Sequence, residues 1–247
     1  MTDNVNSFIR SRKKIVAITS DRITHILWYI SECYTILSKD KPQYSKSYVS
    51  NDTTFHFEDY LKMELVDKYL IPNKHLISSK LSKLENINFH YENQKRYVDT
   101  RDKKEKVDKI DIYINRLGLQ NNWKEKEENI YFVVECKRIL KLSDCKKYIV
   151  DIKNFADRKY INLRLPFEGQ IGFIENTKIT HDNLSKAISK ELKNMPGTIN
   201  TKAYLYNIKI HKVFTGCYLS KHIRNHTDKD EFFVYHLLFD YSPFVIS

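Results

Sequence analysis

The sequence predicts an α/β fold, a mixed β-sheet flanked by helices in an α+β arrangement, on three observations. A helical period runs through residues 15–37. Segments 107–115 and 130–137 read as strands, one alternating and one β-branched and aromatic. Further along, helical and strand patterns alternate, as they do when helices cover a sheet.

Taken in order, Ile15, Ile18, Ile23, Ile26, Leu27, Ile30, Tyr34 and Leu37 recur at roughly helical spacing. Residues 1–50 therefore read as an N-terminal helical extension, closed by a connector that begins near Pro42. Such a helix can cap the core, dimerise the chain or bind a partner, and covering the core is the favoured expectation. Residues 51–247 read as the main domain. The polar run Asn51, Asp52, Thr53 and Thr54 is able to cap a helix over 55–70, which Pro72 stops. Phe57, Leu61, Leu65 and Tyr69 form its apolar stripe, with Glu58 at the edge. A strand is expected at 87–98, a charged turn at 101–106 and a second strand at 107–115. There the alternation puts Ile110, Ile112 and Ile114 on one face, Asp111 and Tyr113 on the other. A polar stretch then leads to the strand at 130–137. A helix at 143–157, a strand at 169–175 and a helix at 182–192 ended by Pro196 and Gly197 follow, with further strands at 203–213 and 231–240.

Composition narrows the class. Hydrophobic residues at 41% are enough for a core, and five each of Gly and Pro argue against long disordered stretches. Asp21, Arg22 and His25 interrupt the longest apolar region, which excludes a spanning helix there, and no signal-peptide pattern opens the chain, so the expected location is cytoplasmic with no membrane partner. Cys33, Cys136, Cys145 and Cys217 are scattered, which argues against a zinc knot or a disulfide framework. The net charge of +11 favours a polyanionic partner, nucleic acid first. Charge alone does not decide, because an AT-rich coding sequence also enriches Lys, Asn, Ile and Tyr.

Glu135 and Lys137 stand two apart on a strand and project together, and Asp111 on the neighbouring strand can reach the same face. Two acids and a lysine on a covered face are costly unless they pair or bind a metal. Carboxylate pairs suit Mg²⁺ or Mn²⁺, which acidify water and neutralise charge on a phosphoryl group. Other acid–lysine pairs two apart, Asp102/Lys104, Asp144/Lys146, Asp151/Lys153 and Glu191/Lys193, fall in a turn or in helices, where such residues share no face. Asp108 is a rival to Asp111 that is expected to face the opposite side.

Asp111 with Glu135-Cys136-Lys137-Arg138 after a β-rich run resembles the PD-(D/E)xK, restriction-endonuclease-like superfamily over about residues 55–195. Ile110 stands where the family often has proline, and the gap between Asp111 and Glu135 is long. The resemblance implies a restriction-endonuclease-like core and a catalytic set of Asp111, Glu135, Lys137 and, from the first helix, Glu58. It implies Mg²⁺ (or Mn²⁺) held by Asp111, Glu135, Glu58 and the Cys136 carbonyl. The implied activity is phosphodiester hydrolysis, usually in DNA, in defence against foreign DNA or in repair. Gln170, Arg138, Arg158 and Lys159 are the candidate nucleic-acid contacts, with Gln170 equally readable as an edge-strand residue. A homodimer or a partner subunit is the expected source of recognition. The alternatives are a catalytically silent nucleic-acid-binding or assembly subunit and an RNA-directed nuclease. Ser220, His222, Arg224 and His236 form a loose polar set whose histidines read as surface or satisfied core groups.

Overall fold

The structure, a computed structural model, describes residues 2–49, 55–78, 84, 86–100, 102–160, 165–195, 197–226 and 230–246. The expected capping run 51–54, Arg101 of the charged turn and Pro196 lie outside the described residues. The first half of the chain forms α1 (Thr2–Asp40), β1 (Tyr44–Ser45), α2 (Phe57–Leu65), α3 (His75–Ser78), β2 (Asn88–Asp99), β3 (Glu105–Asn115) and α4 (Gln120–Trp123). The second half adds β4 (Tyr131–Ile139), α5 (Cys145–Asp157), β5 (Arg158–Tyr160), β6 (Phe167–Ile174) and α6 (His181–Lys193). It closes with β7 (Asn200–Asn207), β8 (Cys217–Ile223), β9 (Glu231–Asp240) and β10 (Val245–Ile246). No described helix is long and apolar enough to cross a membrane.

Eight strands make one mixed sheet in the order β5-β2-β3-β4-β6-β9-β8-β7, and β1 pairs with β10 separately. The centre, β4-β6-β9, is parallel, and its flanks are antiparallel. Parallel strands need cover on both faces, and every residue of β6 is buried. One apolar cluster joins α1 and α2 to Ile112, Val134, Cys136 and Phe239. The other joins α5 and α6 to Ile110, Tyr113, Val133 and Leu238. The sheet thus lies between two helical layers.

The N-terminal helix covers the core. Ile23, Ile26, Leu27, Ile30, Cys33 and Leu37 are fully buried in the first cluster. Polar contacts hold it in place: Trp123 Nε1 donates to Thr19 Oγ1 at 3.0 Å, and the Tyr34 hydroxyl donates to Asp240 O at 3.0 Å. Tyr34 also stacks on Phe239, with ring centroids 4.2 Å apart.

One expectation for the C-terminal third needs correction. The strand expected at 203–213 covers Asn200–Asn207 instead. His211 turns the chain away from the sheet, its Nδ1 accepting the Val213 and Phe214 N–H groups while Nε2 meets Glu32 at 2.6 Å. Of the loose polar set, Ser220 and His222 lie on β8 and His236 beside them on β9, and both histidines are satisfied core groups. A buried chain of hydrogen bonds satisfies these residues. It runs from the Tyr148 hydroxyl to His236 Nδ1 (3.1 Å), from His236 Nε2 to Ser220 Oγ (2.8 Å), on to His222 Nε2 (2.7 Å), and from His222 Nδ1 to Thr201 Oγ1 (3.1 Å). Arg224 is buried against Glu168 at 2.9 Å.

Burial pushes both His222 and His236 down to about 3, with His222 adding to the effect on His236. Unfolded histidine takes up a proton near pH 6.5, so the unfolded chain binds more protons below that value. The histidines' contribution to stability is therefore intact above about pH 6.5 and is lost as the pH drops towards 3, by up to about 1.4 kcal/mol per pH unit for each histidine, against the opposite contribution of carboxylates whose protonation the fold favours. Urea denaturation at several pH values between 7.5 and 5 measures this slope, and His236→Asn should flatten it. An unchanged slope would show that His236 does not titrate differently in the fold.

Candidate active site

β3 and β4 pair only between Ile112–Val134 and Asn115–Tyr131. Beyond that stretch β4 continues along β6 and β3 continues along β2, so a gap opens between Asp111 and Glu135. A backbone donor in such a gap needs another acceptor. The Cys136 N–H finds it in Asp111 Oδ2, at 2.8 Å.

The alternation of β3 changes phase here. Ile112 and Ile114 join the first cluster, but Ile110 joins the second together with Tyr113, against the expectation that the three isoleucines share a face. Glu92, across from Asp111 on β2, has a left-handed φ of 59°. Asp108 does not face away from the acids as expected. It pairs with Arg158 and lies close enough to Glu135 to oppose its ionisation.

Acids converge on the gap from both helical layers. From α2, Glu58 accepts the Arg138 N–H through Oε2 at 2.9 Å and meets the Lys137 ammonium through Oε1 at 3.3 Å. From α5, Asp151 Oδ2 lies 3.4 Å from the same ammonium, which also donates to Cys136 O at 2.9 Å and stands 3.9 Å from Asp111 Oδ2. Lys62 of α2 is fully buried and donates to Asp59 at 2.9 Å and Asp111 at 3.0 Å. The structure thus brings Glu58, Asp111, Glu135 and Lys137 together and adds Lys62 and Asp151, which sequence reasoning missed. Asp151 belongs to one of the helical acid–lysine pairs, but Lys153 bonds Asp157 and leaves Asp151 to Lys137. Its signal in the sequence is an acid embedded in the apolar stripe of Tyr148, Ile149, Ile152 and Phe155. Lys62 stands one helical turn after Glu58, a spacing that puts both on one side of α2.

The charges are strongly perturbed. Burial, then the Asp111 and Asp151 carboxylates, raises Glu135 well above the usual carboxylate range. Burial also raises Asp151, to about 6, although Lys137 pulls the other way. Burial alone would lower the two lysines, but Asp111 and Asp59 hold Lys62 above its ordinary range, and Asp151 and Glu58 do the same for Lys137. Glu135 is 6% exposed, and its Oε1 has no hydrogen-bond partner. Gln170, its registered neighbour on β6, is fully buried and likewise has an unpartnered Oε1, while its Nε2 donates to Tyr148 O at 2.6 Å.

This donor set suits a hard divalent cation: carboxylates, a backbone carbonyl and an orphaned carboxylate oxygen. Among the described residues no three His, Cys, Asp or Glu side chains already converge as a metal-holding group. Their oxygens converge instead on the Lys137 ammonium. The expected nucleic-acid contacts fare unevenly. Gln170 is interior rather than at an edge, because β6 is a central strand. Arg158 is engaged by Asp108 and lies over Tyr97. Arg138 is held by Glu175 and lies over Phe57. Lys159 alone of the four is exposed.

Two substitutions should move stability in opposite directions. The fold disfavours the charged form of Glu135, so at pH 8, Glu135→Gln should stabilise the protein by about 1 kcal/mol. Lys62→Met strands the Asp59 and Asp111 charges and should cost about 3 kcal/mol. Urea denaturation reads both, and no gain from Glu135→Gln would show that its carboxylate is well solvated. Comparison of the chain with protein-family models, curated proteins and solved structures finds no match.

Proposed function

We propose that the chain is a Mg²⁺- or Mn²⁺-dependent phosphodiesterase that cleaves DNA from a PD-(D/E)xK-like site on a restriction-endonuclease-like core. The observation that carries the reading is the buried, partnerless oxygen of Glu135, set across a split in the sheet from Asp111 with Lys137 beside it. A functional site is where a fold tolerates such an uncompensated group. The basic net charge of +11 supports a polyanionic substrate.

In this reading Asp111, Glu135, Glu58 and the Cys136 carbonyl would hold the ion. The ion, when bound, neutralises charge on the phosphate and acidifies water. Lys62 and the Cys136 N–H orient Asp111, one on each oxygen. The Arg138 N–H fixes Glu58. Lys137, a quarter exposed, is the cation that reaches outward to a phosphate or to the attacking water. Lys159 on the edge strand β5 offers a backbone contact. A role in defence against foreign DNA or in repair, with recognition from a second copy or a partner subunit, rests on family analogy.

A second reading, a silent nucleic-acid-binding subunit, draws on one observation: Lys137 already sits among the acids and partly neutralises them. Cleavage of plasmid and linear duplex DNA separates the two. The nuclease should need Mg²⁺ or Mn²⁺, stop in EDTA and lose at least about 100-fold in rate in Glu135→Ala and Lys137→Ala. Salt-sensitive DNA binding without cleavage, indifferent to EDTA and to Lys137→Ala, would favour the silent subunit. Cleavage of single-stranded RNA in preference to duplex DNA would change the substrate class.

A further inference from the structure

We infer that Lys137 and a divalent cation exchange places on one set of oxygens, and that Asp151 is the positioning residue that receives the ammonium. The inference rests on the metal-dependent reading above. The Lys137 ammonium donates to Cys136 O at 2.9 Å and lies 3.3 Å from Glu58 Oε1 and 3.9 Å from Asp111 Oδ2. All three belong to the set that the reading assigns to the ion, to which Glu135 adds a fourth group. Two cations cannot share them without strong repulsion at so short a range.

The other contacts of these acids are fixed. Asp111 is held by the buried Lys62 and by a backbone N–H, and Glu58 by the Arg138 N–H. Lys137 is held by its side chain alone, on a flexible four-carbon stem. Within its reach, Asp151 Oδ2 at 3.4 Å is the one carboxylate that the ion does not claim in this reading. That carboxylate is itself anchored, since Gln170 Nε2 lies 3.3 Å from Asp151 Oδ2 and donates to Tyr148 O on the same helix. Asp151 is thus a fixed seat beside a movable cation. When the ion enters, the ammonium swings towards Asp151 and stays beside the reacting centre.

Mn²⁺ titration by calorimetry and electron paramagnetic resonance on the full chain tests this without DNA. Lys137→Met should bind Mn²⁺ at least about tenfold tighter than the wild type. Asp151→Asn should bind it roughly tenfold more weakly. In the Lys137→Met background Asp151→Asn should have no further effect, because Asp151 acts through the lysine. Lys137→Gln serves as a second neutral variant should the methionine fail to fold, and Lys137→Arg, which keeps the charge, should stay near wild type. Unchanged or weaker binding in the neutral variants overturns the exchange while leaving the metal reading intact, provided Glu135→Gln still abolishes binding. An equal loss from Asp151→Asn in both backgrounds makes Asp151 a direct ligand and overturns its positioning role. No Mn²⁺ binding by any variant overturns the metal reading and the exchange together.

Discussion

Where β3 leaves β4 beyond the Ile112–Val134 pair, the ladder gives way to a carboxylate, and Asp111 takes the N–H of Cys136 that the departing strand no longer accepts. That substitution sets the geometry of the surrounding groups. With one oxygen committed to a backbone donor, Asp111 turns its other oxygen to Lys62, which brings α2 across the opening. With α2 in place, Glu58 reaches the Arg138 N–H and the Lys137 ammonium. The phase change along β3 places Ile110 and Asp108 towards α5, and Asp151 completes the ring of charge from that side.

The electrostatics follow from crowding. Glu58, Asp59, Asp111, Glu135 and Asp151 stand around two ammonium groups. Buried like charges oppose one another, and the least compensated group takes the largest penalty. That group is Glu135: it has no ammonium within ion-pair distance among the described contacts, and one of its oxygens has no partner. A fold selected for stability alone would replace such a residue, and an excess of negative charge in a dry place favours a positively charged ligand.

The fold was legible wherever a period could be counted. The alternation of 107–115, the β-branched run before Glu135 and the stripe of α2 all correspond to elements in the structure. β8 was not legible, because Ser220 and His222 break the apolar pattern and find their partners on β9 and β7. In the candidate site, the spacing of Glu135 and Lys137 and the strand context of Asp111 were visible in the chain. Lys62 and Asp151 left fainter marks, one a turn after Glu58 and the other inside an apolar stripe, since each matters through a partner far away in sequence. The phase change at Asp111 was hidden: an uninterrupted run of alternating isoleucines gives no local sign that two of them serve one side of the sheet and the third the other.

The split also has a mechanical side. Viewed as a plate, the sheet consists of two panels, β5-β2-β3 and β4-β6-β9-β8-β7, joined along a seam shorter than the ladders on either side of it. A plate shears easily where a short seam joins two larger panels. The candidate acids straddle that seam just beyond its last stitch, Asp111 on one panel and Glu135 on the other. Whatever bridges the two carboxylates is therefore also a cross-tie between the panels, and occupancy of the site and stiffness of the sheet become two readings of the same bond.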